Sequence, residues 1–385
     1  MTVEASMVVS SDMSLYKEDA LLPSFFHRNG LSRADVDACH DFAATVFPRY
    51  TIEAAREQGG CSYTLVASGT RHEPAIRNTE TMGPYRTIVQ FRLLKHAVDM
   101  EMVEAARQAS HAAPETWSLG VVEVADGSVA LQAVAMTCLP GRRFSDVQPR
   151  CDVLSSKDLS RMKVLLESLS GFLAEGWKSG LGGRTGMECC GGRVGKSLCF
   201  RLEKLARDLP TNELRRSASQ VVTAVRGGAL DGLPIVLTHG DLLPSNILVG
   251  PASWRIRGVI DWAEAEWLPF GICLYGLEHL LGCMETAVGS RPKFVYYRQA
   301  KELRDGFWGL LLEQIPELEN PELLAQVMLA RDVGVCLWRG FAWDDGAIDR
   351  VVNVDDDEEE VAFLEAFLGL RSTAAWHDSM IDSQL

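Results

Sequence analysis

The 385-residue sequence contains no run of about 18 apolar residues, so no helix long enough to cross a bilayer is expected. Positive charge is also scarce. Lys and Arg number 38 against 52 Asp and Glu, a formal net charge of −14. A nucleic-acid backbone demands a basic stripe, so a nucleic-acid partner is not expected. Ten cysteines are present but none lies at C-x-x-C spacing. The vicinal pair Cys189-Cys190 sits in glycine-rich chain without a second ligand pair, which argues against a zinc site or redox centre. Most cysteines then read as small core residues or free thiols. Residues 1–20 lack the basic-then-apolar order of a secretory leader and mix Glu4, Asp12, Lys17, Glu18 and Asp19 with short apolar pieces. The expectation is a cytoplasmic protein with no membrane and no nucleic-acid partner. Its length suggests about two to three domains.

A nucleotide-binding P-loop is missing too. Cys190-Gly191-Gly192-Arg193-Val194-Gly195-Lys196-Ser197 approximates one, but Cys190 replaces the first glycine and no apolar strand precedes it.

What the chain does have is the stretch Leu237–Val249, followed by Gly258-Val259-Ile260-Asp261-Trp262. An apolar run enters a polar loop, His239-Gly240-Asp241-Leu242-Leu243-Pro244-Ser245-Asn246, and a second apolar run ends on Asp261. Two carboxylates and one amide are thereby placed on loops at the ends of short strands. An Asp can take a proton or bind a hard cation, and Asn offers a neutral carbonyl oxygen to the same cation. Asp241 alone would read as an ordinary turn residue ahead of Pro244. The order His-x-Asp-x-x-x-x-Asn with a later Asp is instead a variant of the kinase catalytic loop.

These residues resemble the aminoglycoside phosphotransferase and choline kinase superfamily. More narrowly, they resemble the phosphotransferase-like proteins of filamentous fungi. The likeness extends to Gly60-Cys61-Ser62-Tyr63-Thr64, Ile88-Val89-Gln90-Phe91-Arg92 and Asp261–Gly271, and covers roughly residues 35–370. It implies an α+β, bilobal protein-kinase-like fold, with a small antiparallel-sheet N-lobe over residues 25–136 and a larger, mainly helical C-lobe over 137–370. Residues 1–24 and 371–385 are expected as tails. The implied reaction is transfer of the γ-phosphoryl of ATP, or GTP, to a hydroxyl of a small molecule. Asp241 would act as base and Asn246 and Asp261 would hold Mg2+. His239 would orient the loop by hydrogen bonding, and Trp262 would anchor the metal-binding loop by packing.

The remaining candidates follow in chain order. Ser32 is expected to cap a helix from Arg33 to about Phe47. Glycines ahead of Ser62 and Thr64 suggest a hairpin turn over the phosphates, with hydroxyl donors. The run Thr87–Arg92 is the expected third strand and lacks the lysine that pairs phosphates in protein kinases. Arg92 is its one cation, either a phosphate ligand or a solvated strand-end charge. Its helix partner would be Glu101, with Glu104 second. A hinge is expected at Met136-Thr137-Cys138-Leu139, with base contacts at Thr137 and Leu139 and packing from Met136. Ser156 opens a long helix with an apolar stripe that reads as core. Helical spacing is also expected beyond Asp261, over Glu264–Leu281. Glu266, Trp343, Asp344 and Asp345 are candidates for the acceptor pocket, although Trp343-Asp344-Asp345-Gly346 also fits a plain turn. Asp355–Glu360 reads as an acidic helix start. Because the strand lysine is missing, a nucleotide-binding or inactive pseudokinase acting as an interaction protein is the alternative. A protein kinase is disfavoured, since no Ala-Pro-Glu segment follows Asp261.

Overall fold

The computed structural model describes residues 22–69, 86–124, 127–180, 184–286, 289–344 and 347–369. The chain forms two compact units, Met1–Val98 with Thr116–Cys138, and Asp99–Glu115 with Leu139–Leu385.

The described residues of the first unit begin with a short helix, α1 (Ser24–Arg28), and a longer one, α2 (Arg33–Val46). The α2 start is closed by a reciprocal cap in which Asp35 Oδ2 accepts from the Ser32 N–H at 2.6 Å and the Ser32 hydroxyl at 2.9 Å. Val36, Cys39 and Ala43 recur at helical spacing and form the buried face of α2. They share one core with a five-stranded antiparallel sheet. Its strands are β1 (Thr51–Ala54), β2 (Ser62–Ser68), β3 (Arg86–Leu93), β4 (Thr116–Glu123) and β5 (Ala130–Thr137), in the spatial order β1-β2-β3-β5-β4. Alternation decides which face is buried: Tyr63, Leu65 and Ala67 of β2, Val89 and Phe91 of β3, and Leu131, Ala133 and Ala135 of β5 all enter this core. The register then puts Ser62 opposite Arg92, Thr64 opposite Gln90 and Ile88 opposite Met136, all on the other face.

The second unit is mainly helical. It contains α3 (Met100–Ala109), α4 (Ser156–Lys178), α5 (Gly192–Gly195), α6 (Leu198–Asp208), α7 (Asn212–Arg226), α8 (Tyr275–Leu280), α9 (Ala300–Gln314), α10 (Pro321–Arg339) and α11 (Glu358–Gly369). Among the described residues three small antiparallel sheets interrupt the helices. They are β6 (Arg142–Arg143) with β8 (Ile247–Val249) and β9 (Ile256–Val259), β7 (Ile235–Thr238) with β10 (Glu266–Pro269), and β11 (Gly282–Glu285) with β12 (Lys293–Tyr296). The α3 segment belongs to this unit because its C-terminal end is tied into it. The Ser110 hydroxyl donates to Glu175 of α4 at 2.6 Å, and the Val259 N–H of β9 donates to the Ala112 carbonyl at 2.8 Å.

Two features hold the helices of the second unit in place. Gly334 of α10 passes so close to the turn Ile272–Leu274 that a Cβ there would lie 1.9 Å from the Ile272 carbonyl oxygen. Beside it lies a buried ion network. Arg304 of α9 donates two hydrogen bonds to Glu278 of α8, at 3.2 and 2.6 Å. Arg331 of α10 lies 3.4 Å from the same carboxylate, pairs with Asp332 and donates to the Phe367 carbonyl of α11 at 2.8 Å. Burial alone would raise the Glu278 carboxyl, but the Arg331 and Arg304 charges outweigh it and hold it below the usual carboxylate range. Removing one member of such a network leaves the others buried and uncompensated. Glu278→Ala is therefore expected to lower stability by about 3–5 kcal/mol, read as a fall in the urea midpoint.

Candidate functional site

The polar loop His239–Asn246 joins β7 to β8, and Asp261 follows β9 by one residue, after Ile260. Pairing of β8 with β9 matches Ile247 to Val259, so the residues just outside the ladder, Asn246 and Ile260, are adjacent. The Ile260 N–H donates to the Asn246 carbonyl at 2.9 Å. The Ile260 carbonyl accepts from His239 Nε2 at 2.9 Å. One residue, Ile260, thus ties both ends of the catalytic-type loop to the strand leading into Asp261.

His239 is fixed in one tautomer. Its Nδ1 accepts from the Asp241 N–H at 3.1 Å, so the proton resides on Nε2, which donates to Ile260. Burial pushes the imidazole down to about 4, against the smaller opposing pull of the Ile260 hydrogen bond and the Asp261 charge. The ring meets Trp262 edge-on at 4.6 Å, and Trp262 Nε1 donates to the Val259 carbonyl at 2.9 Å. Trp262 is thereby packed beneath the Asp261 loop. Gly240, between the histidine and the aspartate, has φ +79°. A Cβ there would lie 2.0 Å from the Glu264 carbonyl oxygen, so only glycine fits this turn.

Asp241 is held from two sides. Tyr275 of α8 donates from its hydroxyl to the Gly240 carbonyl and accepts from the Leu242 N–H, each at 3.1 Å, bracketing the residue. Asn246 Nδ2 donates to both the main-chain oxygen and Oδ2 of Asp241 at 2.8 Å. With its N–H groups spent on acceptors, Asn246 keeps its carbonyl oxygen for another partner. Burial pushes the Asp241 carboxyl up to about 6, reinforced by the Asp261 charge and offset in part by Arg339 and the Asn246 hydrogen bond. Asp261 itself is exposed and adopts a left-handed conformation, φ 64° and ψ 67°, which Asp tolerates better than most residues.

Asn246 and Asp261 together offer hard oxygen donors. Among the described residues no group of three or more His, Cys, Asp or Glu side chains is arranged to hold a metal unaided. One carboxylate and one amide oxygen match a magnesium ion that completes its shell with phosphate and water oxygens, rather than a closed protein cage. Asp241, beside them and poised near 6, fits proton acceptance.

The other candidates lie elsewhere. In the first unit Ser62, Arg92 and Met136 share the sheet face opposite the core, while Thr137 falls on the core-facing side of the alternation. Arg92 is buried and donates to the His96 carbonyl at 3.0 Å and weakly to Gln90 at 3.5 Å. In the second unit Glu101 lies in the first turn of α3, and Leu139 packs on Gly258. Of the expected helix over Glu264–Leu281, only Tyr275–Leu280 is α-helical. Glu266–Pro269 is strand β10 because it completes a ladder with β7. The Glu266 carboxylate accepts the N–H groups of Arg193, Val194 and Gly195 at 2.7–3.0 Å. The P-loop-like segment therefore cradles an anion after all, but one supplied by the chain itself. Trp343 is exposed, and Asp344 forms a forked pair with Arg350, both contacts at 2.9 Å. Asp345 lies outside the described residues. Two residues around Asp241 escaped the sequence reading as site candidates, Tyr275 and Arg339. Arg339 ends the apolar run Val333–Trp338 of α10, and a cation closing that run was the available signal.

The family model described as phosphotransferase enzyme family matches residues 64–272, more than half of the chain, and spans Asp241, Asn246 and Asp261. The chain belongs to this family. Among solved structures, the GDP complex of aminoglycoside 2'-phosphotransferase-IIIa is similar at 13% identity, covering 88% of this chain and 100% of that one, with a TM-score of 0.51. A putative aminoglycoside phosphotransferase from Ralstonia eutropha is similar at 12% identity, covering 88% and 99%, with a TM-score of 0.46. Plasmodium vivax ethanolamine kinase is similar at 11% identity, covering 86% and 82%, with a TM-score of 0.41. The first likeness shows a shared bilobal, kinase-like α+β fold. No curated protein matches the chain significantly by sequence.

The shifted groups make stability pH-dependent in opposite senses. Between the ordinary carboxylate value of 3.8 and about 6, folded Asp241 keeps a proton that the unfolded chain has lost, so its contribution falls as pH rises. Between the ordinary 6.5 and about 4, the unfolded chain protonates His239 first, so that contribution falls as pH drops. Asp241→Asn removes only the former. The ligand-free variant is expected to exceed the wild type by roughly 3 kcal/mol near neutral pH, with the gap closing towards pH ~4 in urea titrations.

Proposed function

We propose that the protein is a small-molecule kinase that transfers the γ-phosphoryl of ATP or GTP to an acceptor hydroxyl, with Asp241 as general base. The observation that carries this reading is the assembly around the main-chain N–H and carbonyl of Ile260. It brings Asp241, Asn246 and Asp261 together, with the Asn246 amide nitrogen committed to Asp241 and its oxygen left for a cation.

Asn246 Oδ1 and the Asp261 carboxylate would hold magnesium, which when bound neutralises phosphate charge. The Asp241 carboxylate orients the acceptor hydroxyl and takes its proton. The acceptor oxygen forms a bond to the γ-phosphorus as the bond to the β–γ bridging oxygen breaks, leaving a nucleoside diphosphate and a phosphate ester. A base near 6 is largely ionised at neutral pH and still basic enough to accept the proton. His239 does not exchange protons in this scheme, since its neutral ring is occupied on both nitrogens. Nucleotide contacts are assigned, on family membership, to Ser62, Arg92, Met136 and Thr137, and to Glu101 and Leu139. Trp343 and Asp344 are the acceptor candidates that remain, along with Asp345. Glu266 is better supported as a structural anchor for residues 193–195.

The alternative, a pseudokinase acting through a partner, is favoured by Arg92 standing where a lysine is usual, with its donors already engaged at His96 and Gln90. Nucleotide binding and turnover separate the two. Mg-nucleotide at 100 times its dissociation constant is expected to add about 2.7 kcal/mol of stability. Asp261→Asn should lose most of the resulting rise in thermal midpoint. No rise with either nucleotide would sink the kinase reading. Asp241→Asn should retain the rise while turnover falls by about 10²–10⁴. Wild-type kcat/KM should increase with pH up to about 6 and then level, following Asp241. A pseudokinase would bind nucleotide or not, but show no turnover for the mutation to remove.

A further inference from the structure

Arg339 differs from the other buried arginines of the second unit. Arg201 donates to the Ser197 hydroxyl, the Ile348 carbonyl and Asp349. Arg304 is paired with Glu278, and Arg331 with Glu278, Asp332 and a main-chain carbonyl. Arg339, the last residue of α10, makes no hydrogen bond and no ion pair with any described residue. Its Nε is fully enclosed and has no partner. The guanidinium carbon lies 4.8 Å from the centre of the Phe363 ring, so one face of the fork is covered by an aromatic. The side chain still keeps partial solvent access.

Its position is equally specific. The preceding residue, Trp338, stacks on Tyr275 at 5.5 Å with planes 17° apart, and the Tyr275 hydroxyl clamps the peptides on either side of Asp241. Arg339 is thus carried next to the clamp on the candidate base, and its charge is felt by Asp241. Asp241, Tyr275, Glu359 and Glu360 act on Arg339 through their charges, yet none forms an ion pair with it among the described residues. A largely enclosed guanidinium with unspent donors is costly unless a partner arrives from outside. A planar fork with parallel N–H groups suits a carboxylate or phosphate. A cationic group placed there would meet a like charge.

We propose that Arg339 is an acceptor-binding residue that receives an oxyanion of the phosphoryl acceptor, a carboxylate or a phosphate ester, beside the hydroxyl presented to Asp241. The hydroxyl part of this statement rests on the phosphotransferase reading, while the anion part rests on the geometry of Arg339 itself. The acceptor class selected is then a hydroxy acid or a sugar phosphate rather than an amino alcohol.

The test omits nucleotide. Gluconate, inorganic phosphate, sorbitol and choline are titrated calorimetrically into wild type, Arg339→Gln, Arg339→Lys and the exposed-surface control Arg216→Gln. Gluconate or phosphate should bind wild type and Arg216→Gln more tightly than sorbitol or choline. Arg339→Gln should weaken the preferred anion at least tenfold, and Arg339→Lys, which keeps the charge but loses the fork, severalfold. Preference for gluconate over phosphate identifies the carboxylate, and the reverse the phosphate ester. Should Arg339→Gln fail to fold, phenylglyoxal labelling of the wild type gives the answer directly, since the preferred anion should protect Arg339 and leave Arg216 reactive. Binding of choline or sorbitol at least as tight as either anion, unchanged affinity in both Arg339 variants, or an unprotected Arg339 would each overturn the proposal. Mg-nucleotide thermal shifts on the same preparations keep the two readings apart. Anion binding at Arg339 without a nucleotide shift removes phosphotransfer but not the anion site, whereas a nucleotide shift without anion binding removes only the anion site.

Discussion

The hydrogen bond from His239 Nε2 to the Ile260 carbonyl is the constraint on which the site depends. Asp241 and Asp261 repel one another, and the Asp261 charge adds to burial in raising the Asp241 carboxyl. Left to themselves, two loops carrying like charges would separate. Here Ile260 is held through both of its main-chain groups, by Asn246 on its N–H and His239 on its carbonyl, and the His239 ring is buried against Trp262 so that the donor cannot rotate away. A protonated imidazole could no longer accept from the Asp241 N–H. The burial that keeps His239 neutral therefore also preserves the loop geometry.

A second compromise concerns the base itself. A carboxylate exposed to water would be too weakly basic to assist proton removal, and one buried without partners would stay protonated at neutral pH. Asp241 sits between these limits. Burial and the neighbouring Asp261 charge push it up, while Asn246 and Arg339 pull it back. Arg339 exerts this pull from a distance, without ion pairing, so its donors are not consumed in doing so. The arginines bound to Glu278 show the opposite use of the same residue type, with every contact internal and the product purely mechanical.

Glu266 and the segment 191–195 illustrate how a local pattern can be physically sound and functionally misleading. Consecutive backbone N–H groups in glycine-rich chain do form an anion cradle, which is why the segment resembles a phosphate loop. Among the described residues no strand directly precedes it, and the pairing of β10 with β7 instead delivers a carboxylate from the same chain into the cradle.

The sequence by itself determined the elements and the chemistry that local rules govern. The Ser32 cap and the spacing of Val36, Cys39 and Ala43 gave α2. The apolar stripe after Ser156 gave α4. The acidic start at Asp355–Glu360 gave α11, although Asp357 proves to be paired with Arg350 rather than solvated. Asp241, Asn246 and Asp261 were legible because their residue types and loop spacing are themselves the chemical signal. Tertiary structure alone decided what surrounds them. Tyr275 reaches the loop from more than thirty positions away, and Arg339 from about a hundred. Glu266 lies on a strand rather than a helix because its partner strand, not its own periodicity, supplies the missing hydrogen bonds. Periodicity and capping act within a few residues of one another. Burial, electrostatic coupling and the identity of a hydrogen-bond partner depend on segments that meet only when the chain has folded.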